Sequence, residues 1–116
     1  MDDLMRLKKN TDFRKVYGKG SSQANRYLVI FVLPNRQAYN RVGFSASKKV
    51  GKSVIRNRVR RLMKESFRKL ADKIEKGYDI VFIARVNVKD ASYSEVEKAM
   101  LHLLKKSKLL SIGDKV

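Results

Sequence analysis

From Phe13 to Lys64 the chain has no Asp or Glu, yet the same stretch holds 14 Lys and Arg residues. Cations with no counter-charge in their own segment repel one another, and that repulsion works against compaction. A fold of this chain has to leave those side chains in water and bury the apolar residues between them. A positive field over nearly half a molecule fits a polyanionic partner, and nucleic acid is the commonest polyanion. The plain alternative is a solvated basic face that serves solubility, but solubility does not require every acid to be absent.

The rest of the composition sets the class. The 116 residues suffice for one domain with one core, expected to span 1–116 with a loose, mostly polar arm at 1–9 and a tail at 109–116. Net charge is +17, and 43% of residues are hydrophobic, so the chain reads as globular rather than as a disordered basic tail. The absence of cysteine removes disulfides, thiolate zinc sites and a Cys nucleophile. It is compatible with a reducing cytosol, and a cytoplasmic location is expected. Met1-Asp2-Asp3-Leu4 is acidic and reads as no signal peptide. The longest apolar run, Leu28 to Pro34, is far too short to span a bilayer, and no membrane partner is expected.

Along the chain, Asn10-Thr11-Asp12 can cap a short helix with Asp12 favourable in its first turn. Phe13, Val16 and Tyr17 share one helical face, and Gly18 and Gly20 stop the helix. Residues 18–22 read as a loop or short strand. Tyr27 to Leu33 is apolar on both faces, as in a strand covered on both sides. A polar turn over 34–40 leads to a strand over 41–47, where Val42, Phe44 and Ala46 face one way and Gly43, Ser45 and Ser47 the other. After a basic loop, Ser53 can cap a long helix reaching about Lys76. Its apolar stripe is Ile55, Val59, Leu62, Met63, Phe67, Leu70 and Ile74. Asp79 to Val86 is another apolar strand and 87–93 a loop. Ser94-Glu95-Val96-Glu97 reads as a capping box that opens a last helix to about Lys108. The order is helix, two or three antiparallel strands, helix, strand, helix: an α+β sandwich. Its βαβ crossover, 41–47, 53–76 and 79–86, is expected on general grounds to be right-handed.

The chemistry concentrates on the long helix. Asn57, Arg61, Lys64 and Arg68 fall within about 60° of arc opposite the apolar stripe. Arg60 borders them, Arg56 and Arg58 flank them, and Glu65 alone interrupts the face. Guanidinium forks suit phosphate oxygens, and Asn57 can read a 2′-hydroxyl or a base edge. Ordinary exposed helix faces mix signs; this one mostly repeats one. Val50-Gly51-Lys52-Ser53 imitates the end of a nucleotide-binding P-loop, but Ala46 stands where that motif needs glycine, so no nucleotide cofactor is expected. A helix start beside Lys48, Lys49 and Lys52 still makes a cradle for RNA phosphate. Phe13, Tyr17 and Phe31 taken alone are ordinary core residues. Set among Arg14, Lys15, Lys49, Ser45 and Ser47, they also form the usual platform for single-stranded nucleic acid. A metal-dependent nuclease needs converging carboxylates or histidines. The acids do not cluster near the basic surface, and His102, the one histidine, reads as a surface residue. The chain shows no catalytic residues and no metal ligands of its own.

Three segments resemble the bacterial ribonuclease P protein family. Arg56-Asn57-Arg58-Val59-Arg60-Arg61-Leu62-Met63-Lys64 is similar to its "RNR" signature. Arg41-Val42-Gly43-Phe44-Ser45-Ala46-Ser47-Lys48-Lys49-Val50-Gly51 is similar to the strand and loop before it, and Leu7-Lys8-Lys9-Asn10-Thr11-Asp12-Phe13 to its opening. The resemblance covers roughly residues 6–108, with Ser53 standing where alanine is expected. It implies an α-β-β-β-α-β-α fold like the second domain of ribosomal protein S5, with a left-handed crossover instead of the right-handed one. It implies two partners, the catalytic RNA of ribonuclease P and precursor tRNA. That RNA, with Mg2+ bound mainly by the RNA, would remove the 5′ leader by endonucleolytic hydrolysis. Lys48, Lys52, Arg56, Asn57, Arg58, Arg60, Arg61, Lys64 and Arg68 would meet the catalytic RNA, and the helix would support metal binding there. Phe13, Tyr17, Phe31, Ser45 and Lys49 would hold the leader. Two rivals stay open: a structural RNA-binding protein of the same fold, and a protein-only nuclease.

Overall fold

The two most apolar segments become the inner strands of one sheet. The computed structural model describes residues 4–110. Its elements are α1 (Asn10–Lys19), β1 (Ser21–Ala24), β2 (Leu28–Pro34), β3 (Arg41–Ser45), α2 (Ser53–Leu70), β4 (Tyr78–Ala84) and α3 (Tyr93–Lys106). The strands lie in the order β1-β2-β4-β3. β2 pairs antiparallel with β1 and with β4, while β3 pairs parallel with β4. The expected run of consecutive antiparallel strands is therefore broken. β4 enters between β2 and β3 because Ile80, Val81 and Phe82 are fully buried on both faces and suit a central position. Polar Ser21 to Ala24 takes one edge. β3 followed by α2 and the parallel β4 is the expected crossover unit.

Each face of the sheet has its own core. On one, Leu28, Ile30, Val32, Val42, Phe44, Ile80 and Phe82 meet Val59, Met63 and Phe67 of α2 and Val96, Met100, Leu103 and Leu104 of α3. Phe44, Phe67 and Phe82 have centroids 5.9–6.4 Å apart. On the other face Leu7, Val16 and Val81 are buried, with Phe13, Phe31, Leu33 and Ile83 packed around them under α1. A large apolar side chain contributes about 1.5–3 kcal/mol when buried. The first face thus holds most of the stability, and α1 can leave part of its apolar side in water.

Local chemistry moved several boundaries. The expected loose arm is docked over its described part: Arg6 bridges Val42 in parallel, Leu7 N–H donates to Val42 O at 3.0 Å, and Leu7 is buried. This covers the outer edge of β3, which would otherwise expose unpaired backbone. At the other end Leu109 is buried and Leu110 bridges Ile74, so the expected tail is docked at its start; 111–116 lie outside the described residues. α2 stops at Leu70, not near Lys76. Residues 71–73 tighten into a 3₁₀ turn, and Ile74 is extended, buried by that bridge rather than by a helical stripe. α1 runs through Gly18 and ends at Gly20, with Lys9 as N-cap.

Two expected caps differ. Lys52, not Ser53, occupies the N-cap of α2 without a side-chain bond. The capping box of α3 is Ser92 with Glu95, two residues before the expected one: Ser92 Oγ accepts from Glu95 N–H at 3.1 Å, and Glu95 Oε1 accepts from Ser92 N–H at 2.9 Å.

Candidate nucleic-acid interface

The loop between β3 and α2 sorts its residues by polarity. Val50 is buried, while Lys48, Lys49 and Lys52 are exposed. Gly51 has φ of +155°, which side-chain-bearing residues rarely adopt, and a Cβ there would meet Ile55 at 3.0 Å. Its carbonyl accepts from Arg56 Nε at 3.1 Å, and Arg56 also reaches Ser53 Oγ at 3.2 Å. Arg56 thus ties the loop to the first turn of α2. Arg58 is used structurally too, donating to the carbonyls of Lys89 at 3.3 Å and Ala91 at 3.1 Å. Arg60 donates to Asn57 Oδ1 at 2.6 Å, which holds both side chains in one orientation. Asn57, Arg61 and Arg68 are exposed, and Lys64 is half-buried. The expected cationic face exists, but part of it braces the protein.

A groove of about 550 Å3 opens beside α1, lined by Asn10, Phe13, Arg14, Tyr17, Phe44 and Ser45. Tyr17 is 37% exposed. Its ring meets Phe31 edge-on at 5.1 Å and Phe13 at 6.4 Å. Burial pushes the Tyr17 phenol above its ordinary value and a hydrogen bond with Ser45 pulls it back part of the way, so the hydroxyl is protonated at neutral pH. Gly43 lies directly under Phe13. Phe13, Tyr17 and Ser45 come together as expected from the sequence. Phe31 stands behind Tyr17 rather than in the lining, and Lys49 is exposed on the loop that continues from Ser45, also outside the lining. Arg14, named from the sequence among the cations around the aromatics, does line the groove, and so does Asn10, which the sequence offered only as a helix cap. Their signal was present: they precede Tyr17 by seven and three residues on the same helical face.

His102 is exposed, with Nδ1 3.1 Å from Asn25 Nδ2. Among the described residues no three His, Cys, Asp or Glu side chains converge to hold a metal ion, and no helix is long and apolar enough to cross a membrane.

Comparison with known proteins agrees with this architecture. The Ribonuclease P family model matches residues 1–108. The ribonuclease P protein component of Alkaliphilus oremlandii is 57% identical over 111 residues, covering 96% of this chain and 97% of the relative. That of Clostridioides difficile is 57% identical over 102 residues, covering 87% and 90%. The Staphylococcus aureus RNase P protein structure superposes with a TM-score of 0.86 at 36% identity, covering 94% of this chain and all of that one. The Thermotoga maritima RNase P protein gives 0.81 at 33% identity, covering 87% and 96%. With the family model matched over residues 1–108, and relatives of this identity and fold covering nearly the whole chain, this protein belongs to the ribonuclease P protein family.

Proposed function

We propose that the chain is the RNA-binding subunit of a cytoplasmic ribonuclease P ribonucleoprotein, and that it binds both the catalytic RNA and the single-stranded 5′ leader of precursor tRNA. Family membership supports RNA binding and tRNA processing. The exposed loop lysines and the outward face of α2 fit the catalytic RNA by phosphate contact. Mg2+ held by that RNA supplies the hydrolytic chemistry. This chain's residues bind and orient: Tyr17 and Phe13 stack bases, Arg14 meets the backbone, and the Tyr17 hydroxyl and Ser45 offer hydrogen bonds.

The observation that carries the leader assignment is the groove itself, with a half-exposed aromatic pair at its side and the basic loop leading from its rim at Ser45. The test uses Tyr17→Ala in the complex reconstituted with the catalytic RNA. A stacked base contributes about 1–3 kcal/mol by alanine substitution. Affinity for precursor tRNA should fall correspondingly, while mature tRNA, which has no leader, should bind nearly as before. The melt of the free protein should barely change. Equal losses for both RNAs, or unfolding of the variant, would overturn the leader assignment and favour a purely structural RNA-binding role.

A further inference from the structure

A second cavity, about 490 Å3, lies on the opposite flank of α1 from the groove. At about 100° per residue, Lys15 projects to the side of the helix away from Arg14 and Tyr17, and it lines this second cavity. The floor is Asp79, only 3% exposed, held by Arg41 at 2.9 and 2.7 Å. Asn35 Nδ2 donates to the same carboxylate at 2.9 Å. Asp79 is the one carboxylate among the described lining residues and is matched by Arg41, which also lies 3.8 Å from Asp12 just outside. Lys15 and Arg36 thus bring positive charge that no further acid in the lining offsets.

The loop carrying Arg36 is built, not slack. Asn35 Oδ1 accepts from Gln37 N–H at 2.8 Å, its side-chain amide donates to Tyr39 O at 3.2 Å, and its backbone N–H donates to Gly77 O at 2.8 Å. Within this frame Arg36 has φ of +61°, a left-handed conformation that is rare for such a residue and recurs at ligand clamps. Tyr39, 41% exposed, presents an aromatic ring to the same cavity. An excess of cations over acids, an exposed ring and side-chain amides in one concavity match the chemistry of a nucleotide: phosphate on the cations, base on the ring.

We propose that this cavity is a nucleotide-phosphate subsite, separate from the groove, in which Lys15 and Arg36 take the phosphate oxygens and Tyr39 stacks on the base. The ligand is a nucleoside phosphate, free or as one unit of an RNA strand.

The test is amide-detected NMR of the full chain titrated with adenosine 5′-monophosphate, inorganic phosphate, adenosine and a short single-stranded RNA. The monophosphate should shift Gln37 and Tyr39 saturably. Inorganic phosphate should shift the amides of Lys15 and Arg36 but leave that of Tyr39 nearly unmoved, and adenosine should shift none of them at the same concentration. Lys15→Ala with Arg36→Gly should weaken the monophosphate by about tenfold or more, the loss expected for charge-assisted contacts. Both substitutions suit the local backbone, since alanine favours a helix and glycine the left-handed region. Tighter binding of the RNA at these signals assigns the site to a strand, and tighter binding of the monophosphate to a free nucleotide; both outcomes uphold the proposal. No saturable shift with the monophosphate or the RNA, or equal shifts in the double variant, overturns it. Signals of Phe13 and Tyr17 report the groove separately, so failure here leaves the leader assignment standing.

Discussion

A methyl group on Gly43 would stand 2.5 Å from Cε1 and 2.6 Å from Cζ of Phe13. Gly43→Ala must therefore push that ring off the sheet, at a cost of about 1–3 kcal/mol as overpacking. The same substitution in a Phe13→Ala background should cost much less, and urea unfolding of the four proteins measures that coupling. Asp79 makes a second residue-scale case. Burial pushes its carboxyl up, but hydrogen bonds from Arg41 and Asn35 and the charges of Arg41 and Lys15 outweigh burial and hold it below its ordinary value. A carboxylate whose folded pKa lies below its unfolded one stabilises at pH above the unfolded value, and that contribution is lost as pH falls through the folded one. Stability should thus decline on acidification below about pH 4. Asp79→Asn should lower neutral-pH stability by about 1–3 kcal/mol, since it weakens charged hydrogen bonds in a nearly closed site. It should also show a shallower acid decline, which thermal melts across the pH range would read.

At the scale of elements, the serine that caps a helix and the serine expected to cap one separate cleanly. Ser92 caps α3 through Glu95 N–H, so Ser92→Ala should cost about 1 kcal/mol. Ser53 is already inside α2 and meets only the Arg56 side chain, so Ser53→Ala should change the melting midpoint very little. Comparable losses from the two would contradict the observed helix starts. Ser92-Tyr93-Ser94-Glu95 and Ser94-Glu95-Val96-Glu97 carry the same spacing signal, and spacing alone could not choose between them. Ile74 sits in helical register with Leu70, so periodicity extended α2 past its end. Buried Ser66 follows the same stripe and was passed over because it is polar.

Across the whole molecule the dominant property is the positive field. Each neutralised phosphate contributes about −0.7, for a single strand, or −0.9, for a duplex, to the slope of log affinity against log salt. Contacts by even five cations should give a steep decline in RNA affinity, readable by filter binding across salt concentrations; a flat curve would contradict the electrostatic interface. That field, the number and kind of most elements, the basic face of α2 and the pairing of Phe13 with Tyr17 were determined by the sequence alone, because each depends on composition or on spacing within one segment. The tertiary structure decided what depends on neighbours distant in the chain. It placed β4 between β2 and β3, docked residues 5–7 on the edge of β3, and tied the exposed Arg58 to the carbonyls of Lys89 and Ala91. It also moved Phe31 behind Tyr17 and gathered Lys15, Arg36 and Tyr39 around one cavity. A local pattern says which side of an element is apolar; only packing says which element covers it, and so which cations are left to meet RNA.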